Sequence, residues 1–132
     1  MTKRKYEVLI PNGLKPRRYE KSAAEILKNY FQSDIVFLRP VNTYKNRTPD
    51  FQIGGIRCEL KTPISAKTER VMHAISHAST QSNIIVLDGR RTKILDSRLE
   101  EICRLGLNKT IQRIILITKD HSKIVDIKSK DL

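Results

Sequence analysis

Apolar residues recur along this chain with two distinct periods. Between Tyr19 and Phe31 they fall at 19, 23, 24, 26, 27, 30 and 31, the recurrence of a helix with one buried face. Residues 66–79 repeat the pattern through Val71, Ala74, Ile75 and Ala78. A third helix is predicted over 95–107, through Leu95, Leu99, Ile102 and Cys103, with Gly106 near its end. Between the helices the period falls to two or the run becomes continuously apolar. DIVFLRP (34–40) predicts a strand stopped by Pro40, VNTYKNRTP (41–49) a loop, and IIVLD (84–88) a buried strand. TIQRIILIT (110–118) and KIVDI (123–127) complete the set. The order is helix, strand, hairpin, helix, strand, helix, strand, strand, which is an α/β fold with a mixed β-sheet flanked by helices.

FQIGGIRCEL alternates around Gly54-Gly55, and two adjacent glycines supply the positive φ that both central positions of a type I′ turn require. A two-residue turn sets Ile53 against Ile56, Gln52 against Arg57, Phe51 against Cys58 and Asp50 against Glu59. The expected faces separate cleanly. Phe51, Ile53, Ile56, Cys58 and Leu60 form an apolar one, and Asp50, Gln52, Arg57, Glu59 and Lys61 a polar one. Opposed carboxylates with Cβ atoms about 5 Å apart repel unless positive charge lies between them. A hard dication, Mg²⁺ or Mn²⁺, resolves this with oxygen ligands. Lys61 leaves the same face, two residues beyond Glu59. The alternative is a salt-bridge cluster on a solvated sheet face, with Lys61 neutralising both acids.

On the first helix, 100° steps put Glu20 in the arc of Ala23, Ala24, Leu27 and Phe31, whereas Glu25 points away. Glu20 either reaches toward that site or marks the edge of the buried stripe, snorkelling to water.

Charge now narrows the partner. Lys and Arg number 26 against 14 Asp and Glu, a net charge of +12 in 132 residues. Such an excess favours nucleic acid, whose phosphates release counterions when neutralised; a generally soluble cationic surface and an anionic membrane are the alternatives. No apolar run is long enough to span a bilayer, and MTKRK is not followed by the apolar core of a signal peptide, so a soluble chain without membrane contact is expected. Four Tyr, three Phe and no Trp leave few platforms for stacked bases. Cys58 and Cys103 lie far apart with no CxxC partner, which predicts free buried thiols. Length and 39% apolar content fit one core. The expected division is a basic arm or short strand at 1–17, in which YEVLI is closed by Pro11-Asn12-Gly13, and a single domain at 18–132.

Thr48-Pro49-Asp50, eight intervening residues, then Glu59-Leu60-Lys61 resembles the PD-(D/E)XK nucleases, whose signature is Pro-Asp followed by acid-any-Lys on adjoining strands. Tyr19-Glu20 before Ala24 and Leu27, IVFLRP, TPDFQIGG, RCELKTP, and a basic helix with Ala78 and Gln81 before IIVLD extend the likeness over residues 18–90. Together they resemble the C-terminal tRNA nuclease domains of contact-dependent growth inhibition (CdiA-type) toxins. Tyr19 stands where such domains often carry His, and an excised domain or a freestanding relative, without the large delivery region of those toxins, is expected.

That resemblance implies a restriction-endonuclease-like core and a metal-dependent endonuclease cutting phosphodiester bonds. It makes Asp50 and Glu59 metal ligands for Mg²⁺ or Mn²⁺, Lys61 the water-positioning group and Glu20 the helical acid, reaching the metal through water. Thr62 and Gln81 are further active-site contacts, and the basic residues Lys67, Arg70, Arg90 and Arg91 are expected to grip the phosphate backbone. The implied substrate is tRNA, with a cognate immunity protein as partner and the cytoplasm as site of action, after delivery if the domain belongs to a toxin. A DNA endonuclease of resolvase or restriction type uses the same four residues. A non-catalytic nucleic-acid-binding protein explains the charge but gives the Asp50/Glu59 pairing no purpose.

His73 and His77 stand one helical turn apart in HAISH, which lacks the glutamate of a zinc-protease HExxH. Phosphate contact or plain exposure is the preferred reading over a shared metal.

Overall fold

The computed structural model describes residues 5–39, 50–78 and 83–129. The chain forms two compact units, one up to Arg57 and one from Cys58 onward.

The first unit contains β1 (Val8–Leu9), α1 (Arg18–Phe31), β2 (Ile35–Phe37) and β3 (Asp50–Ile53). β1 runs parallel to β2, with Val8 beside Ile35, and β2 runs antiparallel to β3, with Phe37 beside Phe51. The expected YEVLI strand is therefore present but short. Ile35, Phe37 and Phe51 share one sheet face and are buried, as are Ala23, Ala24 and Leu27 of α1. The Phe37 and Phe51 rings lie 5.8 Å apart in a tilted pair, within the range that favours aromatic contact. α1 ends at Gln32, which takes the left-handed conformation with φ of 52° and returns its N–H to the Lys28 carbonyl.

β4 (Ile56–Lys61) begins straight after Gly54-Gly55, whose φ angles of 56° and 85° are those of the expected tight turn. The Gly54 N–H donates to the Asp34 carbonyl at 3.2 Å, fixing the turn on the end of β2.

The second unit continues β4 and adds α2 (Thr68–Ala78), β5 (Ile84–Asp88), α3 (Asp96–Gly106), β6 (Arg113–Ile117) and β7 (Ile124–Lys128). β4, β5 and β6 are parallel neighbours in that order, and β7 pairs antiparallel with β6. Val71 and Ile75 of α2 and Leu99, Ile102 and Cys103 of α3 pack with Ile85, Leu87, Ile114, Leu116 and Ile127. Val86, Ile115 and Ile117, on the opposite sheet face, are buried too. Burial on both faces is what the continuous apolar runs of β5 and β6 demand. Among the described residues, seven strands, parallel and antiparallel, with three helices make the mixed α/β fold that the periodicity predicts.

One expectation fails at the hairpin. Phe51, Cys58 and Leu60 are buried as foreseen, but Ile56 is 53% exposed, because it stands beside the turn rather than over a core. Cys58, Glu59 and Leu60 are buried consecutively, so both faces of β4 are covered over these three residues and Glu59 does not lie on a solvated face.

Candidate active site

Parallel pairing with β5 sets the direction of each β4 side chain. Glu59 lies beside Ile85 and Lys61 beside Leu87, so both project from the sheet face that α2 and α3 cover. Glu59 is 1% exposed and Lys61 half-buried, and Lys61 Nζ stands 3.4 Å from Glu59 Oε1. Burying a carboxylate is costly unless charge and hydrogen bonds compensate it. Lys61 supplies that charge from the same strand, as the two-residue spacing requires. Of the salt-bridge alternative, the Lys61–Glu59 ion pair is present, but Glu59 does not stand on a solvated face.

Beyond Lys61 the chain leaves β4 at the carboxyl ends of the parallel strands, the end at which open α/β sheets bind ligands. Thr62 is half-buried there, Lys67 is exposed just before α2, and Arg70 is exposed in its first turn. Arg90 and Arg91 follow β5 at the same end. Topology thus gathers five of the six expected substrate contacts around the exits of β4 and β5. The sixth, Gln81, lies outside the described residues.

Arg90 has a second role that its sequence position did not reveal. Its Nε and Nη2 each donate at 2.8 Å to the two oxygens of Asp88, which is fully buried, and its backbone N–H donates to Asp88 Oδ1 at 3.1 Å. This hydrogen bonding holds the Arg90 guanidinium in its charged form, its pKa raised above the ordinary arginine value. Asp88 shares the face of Leu60 and Val86, opposite Glu59. Thr92, also buried, donates its hydroxyl to the Ser65 carbonyl at 2.6 Å and accepts the Ile94 N–H at 3.2 Å. It ties the loop after β5 to the loop after β4. Sequence reasoning passed over Asp88 and Thr92; the available signal was an acid closing an apolar run and followed two residues later by arginine.

In the first unit, Asp50 is the opening residue of β3. Glu20 sits in the first turn of α1, 9% exposed, on the inward arc that the helical wheel predicts. Its Oε1 accepts the Arg17 backbone N–H at 2.6 Å, the return bond of a capping box. Negative charge at that end also complements the helix dipole.

Both cysteines are free and buried, as expected. Burial pushes the Cys103 thiol up to about 12, so it is no thiolate nucleophile. Among the described residues, no three His, Cys, Asp or Glu side chains converge as a metal-holding group, and no helix is long and apolar enough to cross a membrane. A hard dication is commonly held by one or two carboxylates plus water and substrate phosphate, and the buried Glu59 carboxylate is a donor of that kind.

The sequence profile of the contact-dependent growth inhibition CdiA C-terminal domain matches residues 47–123, more than half of the chain and the whole of β3 to β6. The chain belongs to that family. The CdiA C-terminal domain likeness extends to a solved structure, the CdiA-CT/CdiI toxin and immunity complex from Burkholderia pseudomallei. At 21% identity it covers 93% of this chain and 99% of that one, with a TM-score of 0.71, which establishes a shared fold. No curated protein matches the chain.

Proposed function

We propose that this CdiA C-terminal domain is a toxin nuclease that hydrolyses phosphodiester bonds with Mg²⁺ or Mn²⁺, and that its substrate is tRNA. The observation that carries the reading is the buried Glu59 carboxylate with Lys61 Nζ 3.4 Å away on the same strand face, inside the segment that matches the family. The acid-any-Lys spacing and the Pro49-Asp50 step before it supply the remaining parts of the PD-(D/E)XK pattern.

Asp50 and Glu59 are the residues that would hold the cation, with Glu20 contributing through water. When bound, the cation supplies Lewis acidity toward a water and toward the charge that develops on phosphate. Lys61 orients the attacking water through its ammonium group, and its own charge stabilises the phosphorane-like transition state. Lys67, Arg70 and Arg91 hold the phosphate backbone away from the cut, and the net charge of +12 draws the polyanion in. The same excess suits an acidic immunity protein as cognate partner, in keeping with the toxin and immunity pair seen in the Burkholderia complex.

The test is incubation with tRNA, single-stranded DNA and duplex DNA, each with Mg²⁺ or with chelator. Preferential, chelator-sensitive cutting of tRNA supports the proposal. Cutting of DNA instead moves the chain to the resolvase or restriction class, and tight binding without any cutting makes it a binding module.

A further inference from the structure

The start of α1 carries its charge against its own dipole. The N-terminus of a helix is the positive end, where acids stabilise and cations do not, and Ser, Thr, Asp or Asn is favoured at the cap. Here Arg17 takes the cap, Arg18 and Lys21 stand among the first four helical residues, and Lys15 precedes them. All four are exposed. Glu20, the one acid between 15 and 21, is turned inward onto the Arg17 backbone N–H and leaves the outer surface to the cations.

The helix also puts two of these cations side by side. Arg18 lies nine residues, or two and a half turns, from the buried Leu27 and so faces outward, with Lys21 its i, i+3 neighbour at about 5–6 Å between Cβ atoms. Like charges so placed repel. Among the described residues, Lys15, Arg18 and Lys21 form no ion pair, whereas Lys28 at the other end of the same helix pairs with Glu25 at 2.6 Å. The Arg17 guanidinium donates to the Tyr19 hydroxyl at 3.0 Å, which anchors it at the first turn. Dipole and mutual repulsion both disfavour this cluster in the free chain, and a polyanion relieves both.

We infer that Lys15, Arg17, Arg18 and Lys21 form an RNA docking surface on the first unit, which holds backbone phosphates of tRNA other than the scissile one. The choice of tRNA rests on the proposed function; the place of the surface does not. No large apolar side chain is exposed between 15 and 21. A protein interface centres on apolar and aromatic groups and is depleted in Lys, and a membrane-bound helix needs apolar residues to insert, whereas phosphates require only charge and donors. The surface shares no residue with Lys67, Arg70 and Arg91.

The experiment is fluorescence anisotropy of labelled tRNA with the full chain, in chelator so that nothing is cut, over a series of salt concentrations. Arg18→Gln/Lys21→Gln is expected to weaken binding at least tenfold at low salt and to lower the slope of log affinity against log salt by about 1.5, the loss of two phosphate contacts. Lys109→Gln/Lys128→Gln removes the same charge from exposed positions elsewhere and should cost less than about threefold. Circular dichroism verifies folding, and the urea midpoint of the Arg18→Gln/Lys21→Gln protein should be no lower than that of the unaltered chain. Unchanged tRNA affinity, an equal loss in both double variants, or a lowered midpoint overturns the proposal. So does loss of poly-L-glutamate binding with tRNA binding kept, which assigns the surface to an acidic protein. Cleavage in Mg²⁺ is scored separately: an unaltered chain that binds tRNA through this surface without cutting it keeps the surface and overturns the nuclease reading alone.

Discussion

The Arg90 guanidinium grips the buried Asp88 carboxylate side-on, with two hydrogen bonds of 2.8 Å across a single intervening glycine. That glycine has no room for a side chain of its own. A Cβ there would stand 2.6 Å from Leu99 Cδ1 and 3.1 Å from the Ile117 carbonyl oxygen, to which the Gly89 N–H donates at 2.8 Å. Removing one partner of a buried pair strands the other charge, at a cost of about 3 kcal/mol or more. Arg90→Ala is therefore expected to lower the denaturation midpoint by an amount equivalent to about 3 kcal/mol in urea titration. Were Arg90 solely a phosphate contact, stability would be unchanged and only substrate affinity would fall.

Glu20 separates structure from chemistry in a different way. Gln keeps an oxygen that can accept the Arg17 N–H, and Glu and Gln both serve at the third position of a capping box. Glu20→Gln should cost about 1 kcal/mol or less, the loss of its charge beside the helix dipole. On the proposed mechanism it also slows tRNA cleavage at least tenfold, because the amide carries no charge toward the cation. Retained stability with wild-type cleavage would assign Glu20 to the helix cap alone.

These two residues show what the sequence made legible. The helical wheel placed Glu20 on the inward arc because burial of Ala23, Ala24 and Leu27 fixes the rotation of α1. It could not show that the first-turn position puts the same carboxylate on the Arg17 amide. Gly54-Gly55 located the turn, since few other residue pairs accept two positive φ values. Alternation nevertheless misplaced Ile56, because period two tells which residues share a face and not whether that face is covered along its whole length. Pairing of Glu59 with Ile85 and Lys61 with Leu87 is a tertiary fact carried by β5, twenty-odd residues away. Arg90 looked like a free cation for the same reason: its carboxylate partner closes an apolar run that reads as nothing but strand.

Asp96 offers a pH-dependent prediction. Burial alone would raise its pKa, but the backbone N–H groups of Lys119 and Asp120, with the Lys119 ammonium, outweigh that and hold the carboxyl below its ordinary value. A depressed folded-state pKa gives stability that is fully present above the ordinary aspartate range, about 3.9, and is lost as pH falls through the folded value. Asp96→Asn should accordingly be less stable than the unaltered chain at neutral pH, with the gap narrowing below about pH 4. Urea midpoints measured at pH 7, 4 and 3 check this, and a gap independent of pH would contradict it.

The central claim is that Lys61, beside the buried Glu59 carboxylate, positions the water that cuts a phosphodiester. Single-turnover cleavage of tRNA in Mg²⁺ by the unaltered chain and by Lys61→Ala, with circular dichroism confirming that both are folded, tests it most directly. A folded Lys61→Ala that cuts about 10²-fold or more slowly is the predicted result. A folded Lys61→Ala that cuts at the unaltered rate would contradict the account.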